Sequence, residues 1–325
     1  MPKVMLISLA LLATGFMGGC TTADDKTEDE GLTKVSIAIQ PWLGYGAWYI
    51  AQEKGFFAEN GLDVTLTDFE ADADMLAALA GGRVDALNVA SHGALLMIES
   101  GVEAKIVLLE DAATSADAII TTSEITTVAD LKGKKVAYEE GATSDLLLNY
   151  ALAEAGMTIT DIEKVPMGAA NAGAAVIAGQ VPAAVTYEPY ITSALAENSD
   201  MHVIYDASAK QGLISDVLMV SDKFAAENAD AVKALIASWG QAVDYYNANV
   251  EDGRAIIARG VGEDPADLVT AFDGVIFYSL SDNQRLLDGE YRTATLPAVK
   301  EVAVTAGLLS GSADPDQAID AQYLS

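Results

Sequence analysis

The sequence predicts an α/β protein built as two lobes, on three observations. From Val35 onward, short apolar runs alternate with amphipathic stretches, as strands and helices wound into parallel or mixed sheets require. The 325 residues exceed the ~150 of one ordinary domain, and 51% hydrophobic residues suffice for two packed cores. Two polar passages, Asp111–Asp117 and Ser208–Gly212, interrupt the alternation and read as the two crossings of a hinge.

The elements follow in order. The first block reads as strand Lys34–Gln40, helix Tyr45–Glu59, strand Asp63–Asp68, helix Asp72–Ala80, strand Val84–Ala90, helix His92–Ser100 and strand Ala104–Leu109. After the first polar passage come strands Ala118–Thr122, Lys135–Glu139, Ile162–Met167, Ala183–Tyr187 and His202–Asp206, with helices between them. The helix Ser144–Ala155 carries Leu147, Leu148, Ala151, Leu152 and Ala155 on one face and stops at Gly156. Beyond Ile214–Ser221 nearly everything reads as helical, including Ala229–Val250 with Val232, Leu235, Ile236, Trp239, Val243 and Tyr246 on one stripe. The expected division is therefore lobe I over 34–112 and 213–325, and lobe II over 113–212. A faint echo between residues 79–86 (LAGGRVDA) and 177–184 (IAGQVPAA) fits paralogous lobes, and equally a recurring helix–Gly–strand turn.

The first residues carry an address rather than a fold. Lys3 precedes an apolar run from Val4 to Phe16, short of the ~20 residues a spanning helix needs, so 1–19 reads as a secretion signal. Small residues lead into Cys20, the only cysteine, and this stretch resembles a bacterial lipoprotein signal whose thiol is acylated. Residues 20–33 are polar and acidic and read as a solvated tether. With one cysteine, the fold holds no internal disulfide.

A formal charge of −30, from 18 basic against 48 acidic residues, excludes nucleic acid as a partner, because neutralising phosphates takes clustered Lys and Arg. No HExxH, Cys pair or P-loop is present, and Gly44-x-Gly46 lacks the third glycine of a dinucleotide loop, so neither metal nor cofactor is expected.

Residues 41–62 (PWLGYGAWYIAQEKGFFAENGL), with 82–86 (GRVDA), 130–137 (DLKGKKVA) and 183–190 (AAVTYEPY), resemble the nitrate/taurine/sulfonate group of ABC-importer binding proteins over roughly Lys34 to Asn249. The resemblance implies a type II periplasmic-binding fold with ligand between the lobes. It implies a monomeric, lipid-anchored protein on the extracytoplasmic side of the membrane, working with a permease and an ATPase. The sequence departs from the group at Pro182, where an aspartate like Asp85 is common. The same group resembles a thiamine-pyrimidine synthase that uses its own histidine and a cysteine-rich segment, which this chain lacks. A sensory receptor domain of the same fold is the other alternative.

Ligands of open α/β sheets sit at the carboxyl ends of strands, which selects the candidate ligand-binding residues. Trp42 and Tyr45 interleave with Gly44 and Gly46, offering aromatic faces that attract organic cations; Trp48 can instead pack into the lobe. Thr143 and Ser144 open the best helix, where N–H groups and hydroxyls suit an anionic oxygen or serve as plain caps. Tyr187 and Glu188 suit an ammonium, although Glu188 can also cap the next helix. Ser91 and His92 end a strand and read as cleft lining or a helix start; Val89 stands where a nucleophile elbow needs glycine. Glu139, Glu140, Asp145 and Glu188 fall among these loops without any Lys or Arg, which favours a zwitterion or organic cation bearing nitrogen over an isolated anion.

Overall fold

The computed structural model describes residues 31–324. The expected leader and Cys20 lie outside them, as does most of the expected tether. Thr33, expected as the tether's last residue, instead opens the first strand, its N–H bonded to Gly61 O at 2.9 Å.

Two sheets carry the fold. The first contains β1 (Thr33–Ile39), β2 (Leu62–Asp68), β3 (Ala86–Ala90) and β4 (Ala104–Ala113). The second contains β5 (Asp117–Thr121), β6 (Lys135–Tyr138), β7 (Glu163–Pro166), β8 (Ala183–Tyr187) and β9 (His202–Asp206); β10 (Ser215–Ser221) and β11 (Val275–Phe277) return to the first. The orders are β11-β4-β10-β3-β1-β2 and β7-β6-β8-β5-β9. In each sheet the strand that follows a crossing is inserted antiparallel: β10 lies between β3 and β4, and β5 between β8 and β9. The two crossings run side by side, with Ala113 N–H on Ile214 O at 3.1 Å.

Helices cover the sheets where the apolar stripes predicted them. The helix Ala229–Ala248 packs on the helix Gly46–Lys54, with Trp239 and Trp48 fully buried and their rings 4.9 Å apart. The helix expected over Tyr45–Glu59 breaks at Gly55, whose φ of 81° is left-handed and favours glycine. The strand β11 was not anticipated, because three residues are too few for alternation to register; it pairs with the far end of β4. Among the described residues no helix is long and apolar enough to cross a membrane.

Candidate functional site

The parallel strands present their carboxyl ends, and the inserted antiparallel strands their amino ends, to one shared cleft. Gln40 and Trp42 leave β1, and Tyr45 follows. Asp72 opens the helix after β2, and Asp216 lies in the first turn of β10. From the second sheet come Glu139 after β6, Thr143 and Ser144 at a helix start, Ala169 after β7, Tyr187 at the end of β8 and Asp117 at the start of β5. Together they line a cavity with an empty volume of ≈ 380 Å³. The lobes are closed across it: the Trp42 and Tyr187 rings meet edge to face at 5.6 Å.

The aromatic wall is held by carboxylates. Trp42 Nε1 donates to Asp111 Oδ1 at 3.2 Å, and the Tyr45 hydroxyl to Asp216 Oδ1 at 3.1 Å. Gly44 is required between them, since a Cβ there would come within 2.2 Å of Trp42 Nε1 and 2.3 Å of Asp111. Asp111 and Asp216 are cross-strand neighbours in the β4–β10 pair, so their side chains share one face. In the second sheet Asp117 is opposite Tyr187.

Four carboxyl groups, Asp72, Asp117, Glu139 and Asp216, reach the cavity, and no Lys or Arg lines it. Burial and then neighbouring carboxylates penalise their charge. Asp72 is pushed up to about 7 by burial, Glu139 and Asp216. Burial takes Asp216 up to about 6 against the opposing Tyr45 hydrogen bond. Asp117 is raised well above the usual carboxylate range by burial and then by Asp216, Glu188 and Asp72. The buried Gln40 amide nitrogen also lines the cavity and completes no hydrogen bond within the described protein. The wall therefore offers aromatic faces and acceptor oxygens that a positively charged group would satisfy.

The structure sorts the sequence candidates into two sets. Trp42, Tyr45, Thr143, Ser144 and Tyr187 line the cavity. Ser91, His92 and Glu188 do not, each for a local reason. The Ser91 hydroxyl is engaged by Ser215 O at 2.7 Å, Ser215 Oγ at 2.8 Å and the Tyr291 hydroxyl at 2.7 Å. His92 is buried behind the lining, near the Gly141 and Ala142 carbonyls, and burial lowers its pKa to about 4. Glu188 accepts the Thr192 N–H and hydroxyl, both at 3.0 Å, which is the capping alternative.

The loop read as an anion seat is already occupied by its own chain. Asp145 Oδ2 takes the Gly141 N–H at 2.9 Å, and Ser144 Oγ accepts the Glu139 N–H at 2.9 Å. Glu140 turns outward to Lys164 at 2.6 Å. Trp48 belongs to the core, its Nε1 bonded to Asn88 and Glu110 at 2.8 Å each. Gln40, Asp72, Asp117 and Asp216 were not selected from the sequence. The available signal was an aspartate at the head of an apolar strand directly after each hinge passage.

This two-lobed α/β architecture with a lined interlobe cleft is that of the periplasmic binding proteins. Residues 44–252 match the NMT1/THI5-like family, and the chain belongs to it. It is 30% identical over 295 residues to a protein of Brucella abortus (strain 2308) named as a binding protein, covering 88% of this chain and 89% of that one. It is 27% identical over 202 residues to the taurine-binding periplasmic protein of Escherichia coli (strain K12), covering 62% and 63%. The fold matches the alkanesulfonate-binding protein SsuA from Xanthomonas axonopodis pv. citri bound to MOPS, with a TM-score of 0.73, 21% identity and coverage of 89% and 98%. All three are binding proteins rather than enzymes.

Proposed function

We propose that the chain is the lipid-anchored, extracytoplasmic solute-binding subunit of an ABC importer, and that it closes its lobes around a small organic cation bearing nitrogen. The observation that carries the ligand class is a cavity lined by four carboxyl groups and three aromatic rings without a basic side chain. An ammonium, amidinium or protonated ring nitrogen pairs with such carboxylates and lies against such rings. A sulfonate or nitrate would instead be a second anion in the same enclosure, which is costly unless paired. Although the named relatives bind taurine and an alkanesulfonate, the self-satisfied loop at Gly141–Asp145 has no free seat for such a group.

In this reading Cys20 carries the lipid, residues 20–33 span from membrane to body, and 34–112 with 213–325 hinge against 113–212. The protein acts as a monomer that presents its closed form to a permease driven by an ATPase. It returns its ligand unchanged.

A thermal-shift series tests the ligand class directly. Guanidinium and aminopyrimidine probes are expected to raise Tm, since a ligand at a hundred times its Kd adds about 2.7 kcal/mol. Taurine, alkyl sulfonates and nitrate are expected to leave Tm unchanged. Stabilisation by nitrate or an alkyl sulfonate alone would overturn the cation assignment.

A further inference from the structure

The lobes are tied together through a carboxylate that belongs to one of them. Glu139 follows β6 in the second lobe. Its Oε1 accepts the N–H of Asp72, the first residue of the helix Asp72–Ala80 in the first lobe, at 2.9 Å. Its Oε2 accepts the N–H of Ala169, the first residue of the helix Ala169–Ile177 in its own lobe, at 3.3 Å. One side chain thus joins the amino ends of two helices across the cleft, a position that favours a carboxylate.

The same bond has a cost, because it draws the Asp72 carboxyl up to Glu139 inside the cavity. The other polar groups around Asp72 are Asp216 from β10, Asp117 from β5, Tyr45, Tyr187 and Gln40, none of which is a cation. The buried Gln40 amide, which meets no partner, shows an incomplete polar shell in the same cavity.

Resting on the cation reading of this cleft, we propose that Asp72 and Glu139 form a charge-gated latch, so that the lobes stay closed only when a positive charge sits against the pair. Asp72 and Glu139 then select the ligand by allowing closure, in addition to any contact they make. Neutral and anionic solutes of the right size enter the open cleft and fail to hold it shut. In the empty protein a proton on Asp72 is the substitute charge, which fits the elevation of that carboxyl by burial and Glu139.

The test is small-angle scattering at pH 8, where His92, near the Gly141 and Ala142 carbonyls and lowered to about 4 by burial, is neutral in either state. Wild-type protein is expected to be open when empty and to contract with the guanidinium or aminopyrimidine probe that raises its Tm. Asp72→Asn is expected to have the contracted radius without any probe, and Glu139→Gln, which keeps both acceptor positions in reach, to behave alike. Melting curves confirm that each variant is folded. If wild type contracts with a cation but both empty variants keep its open radius, the latch is wrong and the cleft assignment stands. If no probe alters wild type in Tm or radius and the empty variants are also open, both readings fall.

Discussion

Asp117 and Asp216 occupy matching places in the two lobes and are treated differently by their surroundings. Each lies at the head of the antiparallel strand that emerges from a hinge crossing, and each lines the cavity. Asp216 receives the Tyr45 hydroxyl at 3.1 Å and is backed by Asp111 across β4. Asp117 is flanked by Tyr187 and receives no hydrogen bond within the described protein. One lobe therefore presents a carboxylate already used to fix an aromatic ring, and the other a carboxylate whose acceptor oxygens await a partner. The second is suited to recognition and the first to shaping the wall.

The sharpest way to break this comparison is to neutralise each aspartate in turn. Asp117→Asn is expected to weaken binding of a cationic probe by roughly ten- to a hundredfold, since a hydrogen bond to a charged group is worth about 1.5–3 kcal/mol. Asp216→Asn keeps an acceptor for Tyr45 and is expected to cost only a few-fold. Calorimetric titration of both variants at pH 7.5 decides it; a larger loss for Asp216→Asn would reverse the assigned roles.

Much of this was legible in the sequence, and the exceptions have a common cause. The strands Ala183–Tyr187 and His202–Asp206 run as the alternation required, and the two polar passages are the crossings. Trp42, Tyr45 and Tyr187 reach the cavity because they follow parallel strands, where a carboxyl-end rule applies. Asp117 and Asp216 escaped that rule because β5 and β10 are inserted in the opposite sense, which delivers their amino ends to the cleft. Strand direction is a property of pairing, and no local pattern records it. The buried file Glu110, Asp111 and Asp216 escaped for the same reason, since only the register of β10 on β4 brings its members together.

That file belongs to the first lobe and makes a prediction about pH. Glu110 is raised well above the usual carboxylate range by burial, partly opposed by its bond from Trp48 and reinforced by Asp216. A carboxyl raised in the folded state holds its proton where the unfolded chain has lost it, so folding stability declines as pH rises above the unfolded value of about 4.3. Wild-type Tm is therefore expected to fall between pH 5 and pH 8 in the absence of ligand. Glu110→Gln preserves an acceptor for Trp48 Nε1 and removes the titration, so it is expected to flatten that fall. One pKa unit is about 1.4 kcal/mol, which makes the gain at pH 8 at least ~2 °C in Tm. An equal slope in wild type and variant would remove Glu110 from the file.

The smallest effect isolates the hydrogen bond that distinguishes the two aspartates. Tyr45→Phe keeps the ring in the cavity wall and deletes the hydroxyl that reaches Asp216 at 3.1 Å. A buried hydrogen bond contributes about 0.5–1.5 kcal/mol net, and its loss leaves the Asp216 oxygen to be satisfied by something else. In the liganded protein the cation can take that place, whereas in the empty protein nothing in the lining can. The variant is therefore expected to lose about 1 kcal/mol of stability when empty and less when bound, so that the ligand-induced rise in Tm becomes larger than in wild type. A smaller rise would mean that Tyr45 acts on the ligand itself, and that both lobes recognise the solute by direct contact.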